Sequence, residues 1–159
     1  NNIKSIADCG CGDWEIMKHF HFKSDEIYDG LDCVDFLIDS HNEQYSNENI
    51  GFIHKDVSVD VPSGYDLVIL KDVLQHWDNA IIMDKFTQIL QTNKYVYCIN
   101  GYKFTRDPTK NDWTNRVLDK KYSYHPIDFH REPFTQFLPF VVDSKQRAAK
   151  NYILFQHSI

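Results

Sequence analysis

Apolar residues fall into short runs that alternate with amphipathic stretches through the first hundred positions. Ile3 to Cys9 reads as a buried strand, closed by the turn Gly10-Cys11-Gly12. From Asp13 to about Phe22, the spacing of Trp14, Met17 and His21 predicts a helix with one buried face. Ile27 to Cys33 is a second strand, and Val34, Leu37, Ile38 and His41 then follow at i, i+3, i+4 and i+7, which predicts a helix over 34–46. Ile50 to His54 gives a third strand and, after Pro62-Ser63-Gly64, Asp66 to Leu70 a fourth. Ile82, Phe86, Ile89 and Leu90 mark a further helix, and Tyr95 to Ile99 a fifth strand. This alternation predicts an α/β fold, a mostly parallel central sheet with helices on both faces, because parallel neighbours need crossover connections. Ligands of such sheets bind beyond the carboxyl ends of the strands, so the chemistry is sought there.

From Gly101 to Pro139 the pattern dissolves into polar and aromatic residues with Pro108, Pro126, Pro133 and Pro139. A long irregular insert in a compact domain is usually functional, and 101–139 reads as an acceptor-side insert. Phe140 to Asp143 and Asn151 to Gln156 are strand-like runs on either side of 144–150, and they predict a C-terminal antiparallel hairpin. No repeat or compositional boundary divides the chain, so 1–159 reads as a single domain.

A chain of 159 residues, 42% hydrophobic, can bury one core. No run approaches the roughly 18 to 20 apolar residues of a membrane span, and the start Asn1-Asn2-Ile3-Lys4 lacks a charged-then-apolar leader. A cytoplasmic protein is expected. The missing initiator Met fits a trimmed chain or one domain of a longer polypeptide. Charge is uneven: residues 1–102 hold 7 basic and 17 acidic side chains, a balance of −10, whereas 103–159 hold 10 and 6, a balance of +4. A net charge of −6 argues against a nucleic-acid partner, which demands a broad positive footprint. A small anionic substrate remains compatible with the positive tail. Cys9, Cys11, Cys33 and Cys98 form no zinc-site spacing, and the pairs His19/His21 and His125/His130 are not enough to expect a metal.

The turn Asp8-Cys9-Gly10-Cys11-Gly12-Asp13-Trp14 follows a strand, and its glycines let backbone approach a ligand closely. A dinucleotide site needs a helix start free for pyrophosphate. Here Asp13 and Glu15 would repel a diphosphate. A ligand with a positive centre and no phosphate fits better, and S-adenosylmethionine, a sulfonium with an amino group and a nucleoside, is such a ligand. Asp32 ends the second strand about twenty residues on, where a carboxylate can accept from two ribose hydroxyls. Asp56 follows the third strand, within reach of an adenine amino group.

At these residues the chain resembles class I S-adenosylmethionine-dependent methyltransferases, especially small methyltransferase domains found with glycan-biosynthesis and glycosyltransferase genes. The resemblance rests on Asp8 to Trp14, Tyr28-Asp-Gly-Leu-Asp32, Asn49-Ile-Gly-Phe-Ile-His-Lys-Asp56 and Asp66-Leu-Val-Ile-Leu-Lys-Asp-Val-Leu-Gln-His76, and more loosely on Tyr124 to Phe134. It implies a Rossmann-like methyltransferase fold in which Asp8, Gly10 and Gly12 line the methionine moiety, Asp32 the ribose, Asp56 and Val57 the adenine, and Lys71 with Asp72 the floor of the reaction centre. Two departures stand out: Trp14 occupies the usual third glycine position, and the helix that commonly precedes the first strand is absent.

Methyl transfer to a hydroxyl gains from alignment, exclusion of water and a base for the hydroxyl proton. His76, just after the fourth strand, is the candidate base, with Asp72 to orient it and His125 and His130 as competitors. The late segment combines aromatic rings with the arginine forks Arg106, Arg116 and Arg131, which suit a sugar or base ring and a phosphate. Arg116, His125, His130 and Arg131 are the expected acceptor-binding residues. The resulting expectation is an O-methyltransferase acting on a nucleotide-linked sugar or a glycan end. The alternatives are an RNA or other small-molecule methyltransferase, or a methyltransferase-like binding module without turnover.

Overall fold

Alternation along the strands decides which side each helix covers. In β1 (Ser5–Cys9), Ala7 and Cys9 are buried in one core cluster, while Ile6 belongs to the other. The computed structural model describes residues 2–101, 125–147 and 150–156. With β1 go β2 (Ile27–Asp32), β3 (Ile50–His54), β4 (Leu67–Lys71), β5 (Tyr95–Gly101), β6 (Val141–Arg147) and β7 (Lys150–Gln156), in one sheet of order β3-β2-β1-β4-β5-β7-β6. β1 to β5 run parallel; β7 is antiparallel to β5 and β6 to β7. The chain leaves β1 in one direction for β2 and β3, then crosses back to β4 and β5 on its other side. A crevice therefore opens beyond the ends of β1 and β4, the switch point of the sheet. The mostly parallel sheet and terminal hairpin are as expected.

Helix α1 (Asp35–Tyr45) buries Ile38 with Ile6, Tyr28, Trp14 and Phe52 on one face. The helical stretch α2 runs from Asn79 to Thr92, its middle turn Ile82–Phe86 wound as a π-helix, and buries Ile82, Phe86, Ile89 and Leu90 against Val68, Leu70, Val96 and Cys98 on the other. Asp78 caps its start, its side chain accepting from the Ile81 amide at 3.0 Å. No helix of the described residues is long and apolar enough to cross a membrane.

Three expectations need correction. The helix over Asp13–Phe22 is replaced by a turn with only Met17–His19 helically wound, of 3-10 type. Gly12 and Trp14 hold φ of 56° and 58°, left-handed values that cannot continue a right-handed helix, and Trp14 is pulled into the aromatic cluster, 4.9 Å from Tyr45 and 5.1 Å from Phe52. Residues 144–147 and 150, read as linker, belong to strands. β6 is a sheet edge exposed along nearly its whole length, so burial imposes no apolar alternation there. Within the expected insert, 102–124 lies outside the described residues, but Ile127, Phe129, Phe134 and Phe137 are buried core, not an acceptor-facing surface. Phe134–Phe140 forms a 3-10 turn that closes this core below α2.

Candidate active site

The turn after β1 is held from beneath by β2: the Gly10 and Cys11 amides both donate to the Leu31 carbonyl, at 2.7 and 3.1 Å. Gly10 sits at φ 68°, and a β-carbon there would meet Val73 Cγ2 at 2.7 Å. Glycine is therefore required both by conformation and by close approach to the segment after β4. The Gly12 amide donates to Asp32 Oδ2 at 3.1 Å, and its carbonyl lies 2.8 Å from His41 Nε2. Asp32 also accepts the Val34 amide at 3.1 Å. This carboxylate thus ties the β1 turn to the start of α1, and each of its oxygens keeps room for a second donor.

Asp8 is buried and accepts from the Tyr28 hydroxyl at 2.7 Å. Burial pushes its pKa up to about 6, against the lowering effect of that bond and of Lys71. Cys11, half-buried beside it, is pushed up to about 12, first by burial and then by the nearby carboxylates, so it stands as a neutral thiol. Asp56 is exposed after β3 and binds the Ser58 amide and hydroxyl at 2.9 and 2.6 Å, while Val57 is buried in the larger core. At the end of β4, Asp72 adopts φ 58° and its amide donates to the Ile99 carbonyl at 2.7 Å. Its carboxylate meets the Lys150 ammonium and lies 3.3 Å from Lys71 Nζ. Burial raises its pKa, but the bonds to Lys150 and Lys71 outweigh this, and the net shift is downward.

Two hollows flank this turn, and Gly10 and Lys71 line both. One, about 240 Å³, lies over Asp8, Gly12, Trp14, Ile69 and Tyr97. The other, about 270 Å³, is lined by Asp32, Asp56, Val57, Asp72 and His76. All nine residues expected at the cofactor and reaction centre therefore line one or both of these two hollows. Cys33 and Lys55 also line the second hollow and were not anticipated; Lys55 immediately precedes Asp56, an adjacency that was available as a signal. Among the described residues no three metal-ligating side chains converge on a cation site.

The expected acceptor residues are placed differently. Arg116 lies outside the described residues. His130 and Arg131 are exposed, 3.4 Å from Asp128 oxygens, and line neither hollow. His125 is buried: its amide donates to the Gln75 carbonyl at 2.9 Å and its Nε2 lies 3.0 Å from the Trp77 carbonyl. Burial lowers its pKa, and a neutral ring with Nε2–H donating satisfies the contact. His125 thus does not present an acceptor-facing side chain; it braces the Leu74–His76 turn from behind.

No family model and no curated protein matches this sequence. Solved structures do match it in shape. The mitomycin 7-O-methyltransferase MmcR superposes with a TM-score of 0.69 at 12% identity, over 98% of this chain and 49% of that one. Human N-acetylserotonin methyltransferase, in complex with S-adenosylmethionine, gives 0.68 at 17% identity, over 99% and 48%. The N-methyltransferase NodS from Bradyrhizobium japonicum WM9 gives 0.63 at 12% identity, over 99% and 87%. The chain spans about half the length of the first two. Strand order, hairpin and these neighbours together establish that the chain has the Rossmann-like fold of class I S-adenosylmethionine-dependent methyltransferases.

Proposed function

We propose that this chain binds S-adenosylmethionine and methylates a hydroxyl of a small anionic, sugar-containing acceptor. The observation that carries the reading is the convergence of Asp8, the Gly10–Gly12 turn, Asp32, Asp56 and Lys71 from four strand ends onto two hollows that share Gly10 and Lys71. The residues fit the cofactor. Gly10 lets the turn pack against Val73, where a β-carbon would clash, and the turn offers carboxylates, not phosphate-binding cations, to a positively charged group. When bound, S-adenosylmethionine supplies a methyl carbon activated by its sulfonium. Asp32 would accept from ribose hydroxyls with its spare lone pairs, and Asp56 and Val57 would bound the adenine end.

His76, exposed at the rim of the second hollow, would take the acceptor's hydroxyl proton. Asp72 stands at the same strand end, its carboxylate held by Lys71 and Lys150. The anionic acceptor is supported by the charge division of the sequence, −10 in residues 1–102 against +4 in the more basic part, 103–159. Arg116, His130 and Arg131 belong to that part.

Incubation with methyl-labelled S-adenosylmethionine and a panel of nucleotide-linked sugars, free sugars, glycans and RNAs tests the reading. Label is expected on a nucleotide-linked sugar. Label on RNA alone would replace the acceptor assignment, and cofactor binding with no transfer to any member would favour a binding module.

A further inference from the structure

Lys150 lines neither hollow but meets Asp72, which lines the second, and it has no part in the reading above. It opens β7 opposite Gly101, at the end of the sheet where β4 closes with Lys71. Its neighbour Asn151 is buried on the core side with Ile153 and Phe155, so alternation turns Lys150 to the other side, that of Tyr97 and Ile99, which line the first hollow. β5 separates β7 from β4, a span of about 10 Å at ordinary strand spacing. The lysine stem therefore crosses the end of β5, where residue 101 has no side chain, to bring its ammonium to Asp72.

Lys71 approaches the same Asp72 oxygen, so two ammonium groups share one carboxylate. Lys71 lines both hollows and Asp72 the second, so the two ammonium groups meet at the end of β4, with Asp8 of the first hollow also within the influence of Lys71. With the side chains 37% and 26% exposed, the Lys150–Asp72 pair contributes little to stability, so holding the fold together does not account for it. Two separated point charges suit an anion with several oxygens.

We propose that Lys150, with Lys71, binds a phosphate group of the methyl acceptor, Asp72 holding both ammonium groups in place until the phosphate arrives. The proposal rests on the methyltransferase reading and supplies the contact that would recognise its anionic acceptor.

The test is calorimetric titration of the folded chain with inorganic pyrophosphate, with acetate as the carboxylate control and S-adenosylhomocysteine in a separate titration. Lys150→Met should weaken pyrophosphate binding about tenfold or more, Lys150→Arg by no more than about threefold, and Lys145→Met, the same charge loss on exposed β6, not at all. Binding should weaken as salt shortens the Debye length from about 10 to 3 Å. Homocysteine-ligand affinity should stay within about twofold in every variant, a shift too small to reflect a lost contact. Wild-type pyrophosphate affinity in Lys150→Met, an equal loss in Lys145→Met, acetate binding as tight as pyrophosphate, or no saturable pyrophosphate binding at all would each overturn the proposal. Failure of wild-type protein to bind S-adenosylhomocysteine would instead bring down the cofactor reading, and is seen in its own titration. Should Lys150→Met fail to fold, Lys150→Gln carries the same comparison.

Discussion

Around Trp14, the rings of Tyr28, Tyr45 and Phe52 lie 4.9 to 6.0 Å away; around Phe86, those of Phe129, Phe137 and Phe155 lie 4.9 to 5.3 Å away. Ring spacing is alike, but the chemistry at the edges differs. The first cluster ends in polar tips that touch the site: the Tyr28 hydroxyl donates to Asp8, and His41, 5.0 Å from Phe52, reaches the Gly12 carbonyl. The second is made of phenylalanines and clamps residues 127–137 onto α2 and β7, on the other side of the sheet. Equal burial thus has unequal consequences. Change in the first cluster should travel to ligand binding, and change in the second should stay in stability.

The largest effect expected is from Phe86→Ala, which empties the centre of the second cluster. It should cost about 3 to 5 kcal/mol of unfolding free energy, read by denaturant titration, with S-adenosylhomocysteine affinity unchanged wherever the protein is folded. A large affinity loss in the folded variant would break the comparison.

Asp8→Asn tests the polar side of the first cluster, and its sign depends on pH. Because the folded pKa is raised to about 6, folded protein holds more protons than unfolded between the ordinary carboxylate range and pH 6. Stability contributed by Asp8 therefore falls as pH rises through that window, and the cost is complete above it. The variant should be more stable than wild type at pH 7 by about 3 kcal/mol, a gain that disappears near pH 3. Ligand affinity at pH 7 should fall in the same variant. A difference that does not change with pH would show that Asp8 is not buried as described.

Tyr28→Phe sharpens the point with one oxygen. Losing the donor to Asp8 should destabilise the protein at pH 7 by about 1.5 to 3 kcal/mol, a hydrogen bond to a charged group, and by less at pH 4, where Asp8 is protonated. Denaturation at both pH values checks it. Smallest is Asp72→Asn, since asparagine tolerates left-handed backbone and a part-exposed ion pair is worth about 0 to 1 kcal/mol. Asp72→Val, unable to adopt φ 58° without strain, should lose more in the same melt.

β1, β4 and β5 were legible as near-continuous apolar runs, which strands covered on both faces need, whereas β2 carries Asp29 and Gly30 and β3 carries Gly51 within shorter apolar stretches. The acids at the strand ends were legible for the same reason, each being the first polar residue after such a run or close to it. What the residues could not declare were features set by distant partners. Trp14 and Met17 keep helical spacing, yet Trp14 takes a left-handed φ because rings from β2, α1 and β3 claim its side chain. His125 looks like a surface ligand until the Trp77 carbonyl, 48 positions earlier, accounts for its burial. Lys150 is one lysine of a polar stretch until the hairpin register brings it over Gly101. The phenylalanines after residue 128 carry no periodicity because a 3-10 turn and an irregular segment bury them.

The central claim is that the ends of β1, β2 and β3 form an adenosyl site, and calorimetry with S-adenosylhomocysteine tests it most directly. Wild-type protein should bind the ligand and prefer it to NAD. Asp32→Ala should weaken that binding by more than about tenfold, each charge-assisted hydrogen bond to the ribose being worth roughly 1.5 to 3 kcal/mol. Unchanged affinity in Asp32→Ala, or tighter binding of NAD by the wild type, would contradict the account.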